Sequence, residues 1–507
     1  MKKKTNNQLL FYFIPFLLGM ITSFSLPPYN LFFLNFFTFP FFFIFFLNNF
    51  KKNKWKSFII GWIFGFGYFI SNIYWITNSL TFEETFKILI PLALLLIPLF
   101  LGLFYGLATY IFSFFKVDRN YSSILIFSLI LSFVEFIRGN ILGGFPWNLI
   151  VFSWTEYTNF LQILAFIGTY SFNLLSITIF LAPSIIFFNK SLRFKIIFNI
   201  FLIFLIGSNF YYGKQVINKY NKEKNISLNT KIKIISPNIK LDRFFQNEDP
   251  SIIINELTEL SKPNKDSEIF VFPEGILANI FLEDLYIYKE NFKSNFSEKH
   301  KILVGINSYE NSKIYNSMVV FDNNLNILAK YDKNKLVPFG EFLPFESIFS
   351  KIGLKKITQG YISFSSADDR KILELNNLNL LPLICYEIIY TGKLNKSDQE
   401  FDFIVNISED GWFGNSIGPY QHFSHAIFRS IEEGKDIIRS TNGGISAHIS
   451  ATGEVLNKIK STDKGVIEVK SYKKTSKTFF STQGNKIFFY FVFFYIILFF
   501  FLKKEGS

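Results

Sequence analysis

The sequence predicts a polytopic α-helical membrane protein that carries one inserted α/β domain. Half of its 507 residues are hydrophobic and the mean hydropathy is +0.27, which is more apolar than is usual for a soluble globular protein. The apolar residues are concentrated in long runs with few charges. A helix needs about 20 such residues to cross the hydrocarbon core of a bilayer. Before the last run, the texture changes to short β-rich segments separated by polar loops.

Eight runs are long and apolar enough to be membrane spans, seven before the polar region and one after it. Their approximate bounds are 9–25, 30–47, 57–79, 88–115, 121–138, 159–188, 194–212 and 486–502. We therefore expect a seven-helix membrane domain over residues 1–213 and a C-terminal membrane helix over 484–503. The initial MKKK and its apolar run resemble a signal peptide. Because no A-x-A-like cleavage site follows, we interpret the run as a retained helix.

Basic clusters at alternate ends of the spans indicate their orientation. These clusters are Lys2 to Lys4, Lys51 to Lys56, Lys116 with Arg119, Lys190 to Lys195, and Lys503 with Lys504. Cytoplasmic loops carry an excess of Lys and Arg, so both termini are predicted to be cytoplasmic and the polar region extracytoplasmic. The net charge of +13 is accounted for by this pattern and does not require a nucleic-acid partner.

Residues 225–475 have the pattern of a globular α/β domain. Short β-rich runs such as KIKIISPNI, EIFVFPEG, KILVGINSY and FDFIVNIS are separated by polar loops, as expected for strands. A helical pattern follows in YQHFSHAIFRSIEEGKDIIRSTN, and Thr452-Gly453 is a plausible hairpin turn. The strands and helices alone do not specify how the sheets are layered.

The only cysteine of the chain, Cys385, lies at the end of one predicted strand, in LLPLICYE. Cysteines outside the cytoplasm are normally paired in disulfides, so a single thiol there is either an inert buried residue or a reactive group. A reactive thiol needs a base to take its proton and a positive group to stabilise charge. Glu274, after the strand in EIFVFPEG, and Lys335, before the apolar patch in AKYDKNKLVPFGEFLPF, could supply both.

The order of these segments, strand-PEG, K-x-x-LVPFGEF and strand-CYE, resembles the carbon-nitrogen hydrolase, or nitrilase, superfamily. The resemblance implies a Glu-Lys-Cys triad with Glu274 as general base, Lys335 as cationic stabiliser and Cys385 as nucleophile. It also implies an α-β-β-α sandwich for residues 225–475. In chemical terms, such a triad is suited to two-step acyl transfer through a thioester.

The chain resembles one branch of that superfamily, the apolipoprotein N-acyltransferases, through EFIRGNILGGFPWN in the membrane part and through LVPFGEFLPF and SIGPYQHF in the α/β domain. The resemblance implies a multi-pass protein of the bacterial inner membrane with its catalytic domain on the periplasmic face. It also implies a phospholipid acyl donor, a diacylglyceryl apolipoprotein acceptor and no cofactor. Further positions that match the family pattern, as supporting or substrate-binding residues, are Glu341, Tyr386, Glu387, Trp147 and Gly144.

Three segments depart from the wording usual in that family. SPNIKLDRFF lacks a glutamine and a Lys-Trp pair, ISEDGWFG has Glu409 in place of an asparagine, and GPYQHF has Tyr420 in place of a tryptophan. The tryptophan missing from SPNIKLDRFF belongs, by the resemblance, to a loop beside the acyl chain. In this chain Phe244 or Phe245 could act there as a bulky apolar lid. None of these departures changes the triad.

Other interpretations of the sequence remain open at this stage. His422 and His425 have too few potential partners for a zinc site, so no metal is predicted. Glu135 and Arg138 could be a functional or a merely structural pair in the fifth span. The alternative functions are a membrane-anchored amidase with the same triad and a non-catalytic scaffold or transporter. The preferred phospholipid and acyl chain, lipoprotein selectivity, lid motion and oligomeric state cannot be read from the sequence.

Overall fold

A computed structural model describes residues 2–49, 53–115, 119–188, 191–246, 249–344, 347, 363–375, 377–392, 394–395 and 399–505. The chain forms two compact units. The first comprises Met1–Ile217 and Thr482–Ser507, and the second comprises Asn218–Ser481. The predicted limits of the α/β domain, 225 and 475, lie seven residues after the start and six residues before the end of the second unit.

The first unit is helical. Its α-helices are α1 (Lys2–Ser23), α2 (Asn35–Asn49), α3 (Lys54–Ile73), α4 (Glu84–Lys87), α5 (Ile90–Phe112), α6 (Tyr121–Arg138), α7 (Thr158–Leu161), α8 (Leu164–Leu181) and α9 (Leu192–Lys222), and the chain later adds α13 (Phe479–Gln483) and α14 (Lys486–Glu505). Helices α9 and α13 cross the boundary between the two units. Short 3-10 turns extend several of these helices, as Tyr74–Thr81 does after α3.

Among the described residues, seven helical segments are long and apolar enough to cross a membrane. A shorter apolar helix, Leu9–Ser23, occupies the position of the first predicted span. The structure thus has an apolar helix for each of the eight predicted spans, and the prediction of a polytopic helical membrane protein is confirmed. Lys51, Lys52, Lys116 and Lys190, from the basic clusters used for orientation, lie outside the described residues.

Glycines allow α3 and α5 to approach each other closely. A Cβ atom added to Gly61 would lie 2.2 Å from the Thr109 hydroxyl, and one added to Gly65 would lie 2.8 Å from Cα of Gly102. Small residues at such contacts let helix backbones pack where lipid provides no hydrophobic driving force. Thr109 also donates a hydrogen bond to the Ser57 carbonyl at 2.8 Å, which links the same two helices.

The second unit contains two six-stranded sheets. Their strands are β1 (Ile226–Ser236), β2 (Glu268–Val271), β3 (His300–Glu310), β4 (Lys313–Phe321), β5 (Ile327–Asp332), β6 (Leu373–Leu375), β7 (Leu378–Ile384), β8 (Phe403–Glu409), β9 (Asp436–Asn442), β10 (Ser446–Ile449), β11 (Val455–Ile459) and β12 (Gly465–Tyr472). The strand order is β12-β1-β2-β3-β4-β5 in the first sheet and β11-β10-β9-β8-β7-β6 in the second. The centre of each sheet is parallel, β1-β2-β3 and β7-β8-β9.

The two sheets pack face to face and helices cover their outer faces. Side chains of both sheets form one buried core, including Ile269 and Leu303 from the first sheet and Phe403 and Val405 from the second. Helices α10 (Pro250–Ser261) and α11 (Lys289–Asn295) pack on the other face of the first sheet. Helix α12 (Gly418–Glu433) contacts β9 and β10 of the second sheet. The implied α-β-β-α sandwich is therefore confirmed.

Candidate active site

The candidate site lies where several strands end. β5 is antiparallel to β4, which is antiparallel to β3, so β5 runs in the same direction as β2 and their carboxyl ends share one edge of the first sheet. Glu274 follows β2 and Lys333 directly follows β5. In the second sheet, Cys385 follows β7, and Glu409 is the last residue of the neighbouring parallel strand β8. The backbone N–H of Glu409 donates to Oε2 of Glu274 at 2.9 Å, so the two sheets meet at these ends.

A glycine on the neighbouring strand allows the backbone of Glu274 to approach β3. A Cβ atom added to Gly305 would lie 2.4 Å from Cα of Glu274. The Gly305 N–H donates to the Pro273 carbonyl at 3.2 Å. The PEG turn is therefore held against β3 by a backbone contact that no larger residue at position 305 would permit.

Two carboxylates, one ammonium and one amide form a closed hydrogen-bonded group at this edge. Lys333 Nζ lies 3.1 Å from Oε1 of Glu274 and 3.0 Å from Oε1 of Glu341. The side-chain amide of Asn316, on β4, donates to the same two oxygen atoms at 2.7 Å each. All four side chains are buried. Burial alone would lower the pKa of the Lys333 ammonium, but the charges of Glu274 and Glu341 outweigh it and hold that pKa well above its usual value.

The lysine that contacts Glu274 is not the one predicted from the sequence. Lys335 is exposed, and its backbone N–H donates to Glu387 Oε1 at 3.2 Å. Lys333 contacts Glu274 instead, because the Lys333 N–H still pairs with the Asn316 carbonyl at 2.9 Å and so continues the β4–β5 ladder by one residue. The motif K-x-x-L, counted back from Leu336, also begins at Lys333. The structure therefore places Lys333, and not the predicted Lys335, beside Glu274.

Cys385 lies on a tight turn between β7 and a 3-10 turn, Cys385–Ile389. Its φ angle of +48° is in the left-handed region, which residues other than glycine rarely occupy without support. The buried carboxylate of Glu387 supplies that support by accepting the N–H of Ile384 at 2.8 Å, the Tyr331 hydroxyl at 2.6 Å and Arg370 at 3.2 Å. Through these hydrogen bonds, Glu387 stabilises the turn that carries Cys385.

The Cys385 thiol is a neutral group at rest. Burial raises its pKa well above the usual value for cysteine, and the charge of Glu274 raises it further, while the charge of Lys333 and a hydrogen bond with Ser408 lower it. Cys385 is partly buried and packs against the core between the sheets. Because only the thiolate is strongly nucleophilic, a reaction at this sulfur requires a base that removes the proton during attack.

A second buried polar group lies behind the cysteine. The Ser408 hydroxyl donates to Oδ1 of Asp410 at 2.6 Å, and His422 Nδ1 lies 2.8 Å from the same oxygen atom. Arg439 donates to Oδ2 of Asp410 at 2.8 Å. Burial alone would raise the pKa of the Asp410 carboxyl, but His422 and Arg439 lower it to about 2. Ser408 also acts on the pKa of the Cys385 thiol, so this group lies next to the cysteine.

The remaining predicted positions lie in different surroundings. Tyr386 is buried directly after the cysteine, and its ring centroid lies 5.5 Å from that of Tyr390. Trp147 and Gly144 belong to the first unit. There, Arg138 donates to the Trp147 carbonyl at 2.9 Å and Trp147 is 1% exposed, and Gly144 is also buried, with a φ angle of +74°.

Sequence reasoning missed several members of the site. Asn316 is the first residue of NSMVVF, and an amide before a hydrophobic run is typical of the end of a strand and does not indicate a site residue. The backbone N–H of Glu409 carries no signal in the sequence at all. Within the part of the chain that the structure describes, no cluster of three or more His, Cys, Asp or Glu side chains is arranged to hold a metal ion. His422 and His425 are both buried within α12.

Comparison with known proteins identifies the family. The apolipoprotein N-acyltransferase N-terminal domain matches residues 18–182, and the carbon-nitrogen hydrolase domain matches residues 254–472. The apolipoprotein N-acyltransferase of Rhizobium leguminosarum bv. trifolii is 30% identical over 430 residues, which cover 82% of this chain and 80% of the relative. The chain belongs to the apolipoprotein N-acyltransferase family.

A second relative agrees with this assignment, and a solved structure is similar to part of the chain. The apolipoprotein N-acyltransferase of Rhizobium etli is 29% identical over 472 residues, which cover 89% of this chain and 86% of the relative. A carbon-nitrogen hydrolase superfamily protein from Xanthomonas campestris, of known crystal structure, is 13% identical and covers 48% of this chain and 90% of its own, with a TM-score of 0.35. The two apolipoprotein N-acyltransferase relatives match most of the chain, membrane helices included.

Proposed function

We propose that this protein moves an acyl chain from a membrane phospholipid to Cys385, as a thioester, and then to the α-amino group of diacylglyceryl-cysteine on an apolipoprotein. The observation that carries the proposal is the buried group of Glu274, Lys333 and Glu341, in which the charges of Glu274 and Lys333 act on the thiol of Cys385. Membership of the apolipoprotein N-acyltransferase family supports the choice of acceptor. The apolar helices of the first unit place the chain in a membrane, where a phospholipid donor is at hand.

In the first step, Cys385 attacks the ester carbonyl of the phospholipid. Glu274 accepts the thiol proton as the S–C bond forms, which general-base catalysis requires because the resting thiol is neutral. Lys333 and the backbone N–H of Tyr386 stabilise the negative oxygen of the tetrahedral intermediate. The C–O bond then breaks, the protonated Glu274 gives its proton to the departing alkoxide, and a lysophospholipid leaves behind the Cys385 thioester.

In the second step, the amine of the apolipoprotein attacks the thioester carbonyl. Glu274 accepts a proton from the amine nitrogen, the C–S bond breaks, and the thiolate regains a proton from Glu274. The products are an amide and the free thiol, so the enzyme returns to its initial state. Glu341 keeps the Lys333 ammonium in place through the 3.0 Å contact and adds a second negative charge that keeps Lys333 protonated in both steps.

We also propose that the protein resides in the bacterial inner membrane with both termini in the cytoplasm and the α/β unit on the periplasmic face. Reporters fused at two positions test this orientation. A periplasm-dependent phosphatase fused after Gly213 should be active, and the same reporter fused after Leu502 should be inactive, because the basic clusters at the ends of the spans favour the cytoplasm. A phosphatase that is active after Leu502 would contradict the orientation of the C-terminal span.

The thioester is tested with purified protein and a phospholipid that carries a labelled acyl chain. Without an acceptor amine, the wild-type protein should accumulate one label per chain, because two-step transfer stalls after acylation. Neutral hydroxylamine should release the label, and a diacylglyceryl-cysteine peptide should take it up. Cys385→Ala should remain unlabelled, and Cys385→Ser serves as a control that retains a nucleophilic oxygen.

Two outcomes would contradict the proposal in different ways. Label that persists in Cys385→Ala would show that another residue carries the acyl group. Label that leaves wild-type Cys385 only to water, even with the peptide present, would indicate a hydrolase of the amidase type instead of a transferase. Release of ammonia from simple amides by the same preparation would support that alternative.

A further inference from the structure

A buried ion pair joins two of the three segments that depart from the usual family wording, SPNIKLDRFF and ISEDGWFG. Arg243 lies in the 3-10 turn Leu241–Phe244, and Glu409 is the last residue of β8. Arg243 Nη2 pairs with Oε2 of Glu409, and the side chains are 1% and 2% exposed. Neither residue belongs to the group around Cys385 described above, apart from the backbone N–H of Glu409.

Arg243 attaches its own segment to the turn that carries Glu274. Its Nη1 atom donates to the carbonyls of Ile239 and Lys240 at 3.2 and 3.0 Å, and its Nη2 atom reaches the Gly275 carbonyl at 3.4 Å. Asn279, four residues beyond Gly275, returns the contact by donating to the Arg243 carbonyl at 2.8 Å. The segment and the PEG turn are therefore connected in both directions.

Glu409 connects the same pair to the proposed base. Its carboxylate accepts hydrogen bonds from Asn442 at 2.9 and 3.1 Å and from the Gly411 N–H at 3.0 Å. Its backbone N–H donates to Oε2 of Glu274 at 2.9 Å. The orientation of this N–H depends on how the Glu409 side chain is fixed, because the two belong to one residue at the end of a strand.

The ring of Phe244 is held in place by the same segment. The Arg243 guanidinium lies over this ring at 4.5 Å, and the Trp412 ring lies 5.4 Å from it. A Cβ atom added to Gly275 would lie 3.2 Å from Cζ of Phe244. Phe244 therefore covers the residue directly after Glu274.

We propose that Arg243 and Glu409 are a positioning pair for acyl transfer, which hold the carboxylate of Glu274 at the angle needed to take the Cys385 proton. The inference rests on the proposed function, in which Glu274 is the base. Lys333 and Asn316 fix one oxygen of that carboxylate and the Glu409 N–H fixes the other, so loss of the second contact leaves the carboxylate free to rotate. A misplacement of about 1 Å in an active site costs about a hundredfold in rate.

The electrostatics of the pair agree with this geometry. Burial raises the pKa of Glu409 to about 7, although the charge of Arg243 acts to lower it. The charge of Arg243 therefore favours the charged form of Glu409. Replacement of Arg243 by an uncharged residue should favour the neutral form of Glu409. It should also remove the contacts of Arg243 with the Gly275 carbonyl and with Glu409.

The test measures the single-turnover rate at which labelled phospholipid acylates Cys385 in the full-length protein. Arg243→Gln and Glu409→Gln should each lower this rate at least tenfold, with the half-saturating phospholipid concentration within about twofold of wild type. Arg243→Lys, which keeps the charge, should recover most of the rate. The double variant Arg243→Gln with Glu409→Gln should be no slower than the slower single variant, since both changes break the same connection.

A matched control separates positioning from stability. Lys233 and Glu268 form another buried ion pair, at 3.1 Å, and Glu268 is the first residue of β2 whereas Glu274 follows the last. Lys233→Gln should lower thermal stability as the pair variants do but leave the acylation rate per folded molecule within twofold. If the single variants do not fold, the double variant, which leaves no unpaired buried charge, should fold and still acylate at least tenfold more slowly.

The inference fails if the folded pair variants acylate at the wild-type rate, or if Lys233→Gln loses as much rate as they do. Glu274→Gln, measured in parallel, distinguishes a failure of the positioning role of Arg243 and Glu409 from a failure of Glu274 as the base. Slow acylation by Glu274→Gln together with normal rates in the pair variants would overturn only the positioning role. A normal rate in Glu274→Gln would overturn the base itself, and the positioning role with it.

Discussion

Replacing Lys333 with methionine should lower the rate of Cys385 acylation by at least about a thousandfold, which corresponds to about 4 kcal/mol of lost transition-state stabilisation. The ammonium is the cation that contacts both Glu274 and Glu341. Without it, two buried carboxylates share the Asn316 amide, and no ammonium remains to stabilise the negative oxygen that develops on the substrate. Removal of a single such donor costs about a hundredfold to a thousandfold in other enzymes.

Lys335→Ala is the matched control, because Lys335 is an exposed lysine only two residues after Lys333. Its rate should stay within about twofold of wild type, a change of less than ~0.5 kcal/mol in the barrier. Both variants are compared per folded molecule, since loss of one partner from a buried ion pair costs stability as well. An inactive Lys335→Ala beside an active Lys333→Met would reinstate the lysine that the sequence favoured.

Strand periodicity alone could not predict which of these two lysines contacts Glu274. In an ideal strand, residues two apart point to the same face, so the pattern K-N-K does not distinguish them. In the structure, β5 ends at Asp332 and pairing continues for only one more residue. Asn334 then donates its side-chain amide to the carbonyls of Ala367 and Asp368, and the chain turns away from the sheet before it reaches Lys335.

The features that sequence did predict are those that depend on composition over many residues. Eight apolar runs correspond to apolar helices because membrane spans need long stretches of one character. The strands of the α/β domain were recognisable from their β-rich runs between polar loops. Glu274 and Cys385 were recognisable because each lies just beyond a strand within a characteristic short motif, Glu274 three residues after β2 and Cys385 directly after β7.

The features that sequence could not predict are contacts between distant segments. The Glu409 N–H reaches Glu274 across 135 positions of sequence, and Asn316 joins Glu274 to Glu341 from a third segment. Such contacts depend on strand register and on how the two sheets pack. Arg243 and Glu409 stand in two separate segments that depart from the family wording, and nothing in the sequence relates them, yet the structure brings them together as one ion pair.

Asp410→Asn should lower the free energy of unfolding of the α/β unit by about 3 to 5 kcal/mol at pH 7, the usual cost of leaving one buried charge without its partner. The neutral amide would leave the Arg439 guanidinium, which is fully buried, without its carboxylate. It would also weaken the hydrogen bonds that Asp410 shares with Ser408 and His422. An exposed aspartate, Asp463, provides the control: Asp463→Asn should change stability by no more than about 0.5 kcal/mol.

The same carboxylate predicts a specific acid dependence. The pKa of Asp410 is about 2 in the folded protein and about 3.9 in an unfolded chain, so the folded state favours the charged form. This contribution, about 3 kcal/mol, is complete above pH 4 and is lost as the pH falls from about 4 to 2. Denaturant unfolding followed by near-UV circular dichroism should show that loss in wild type and in Asp463→Asn. In Asp410→Asn the curve should be flatter over that range, because the group that titrates is gone, and an unchanged slope there would assign the acid sensitivity to other carboxylates.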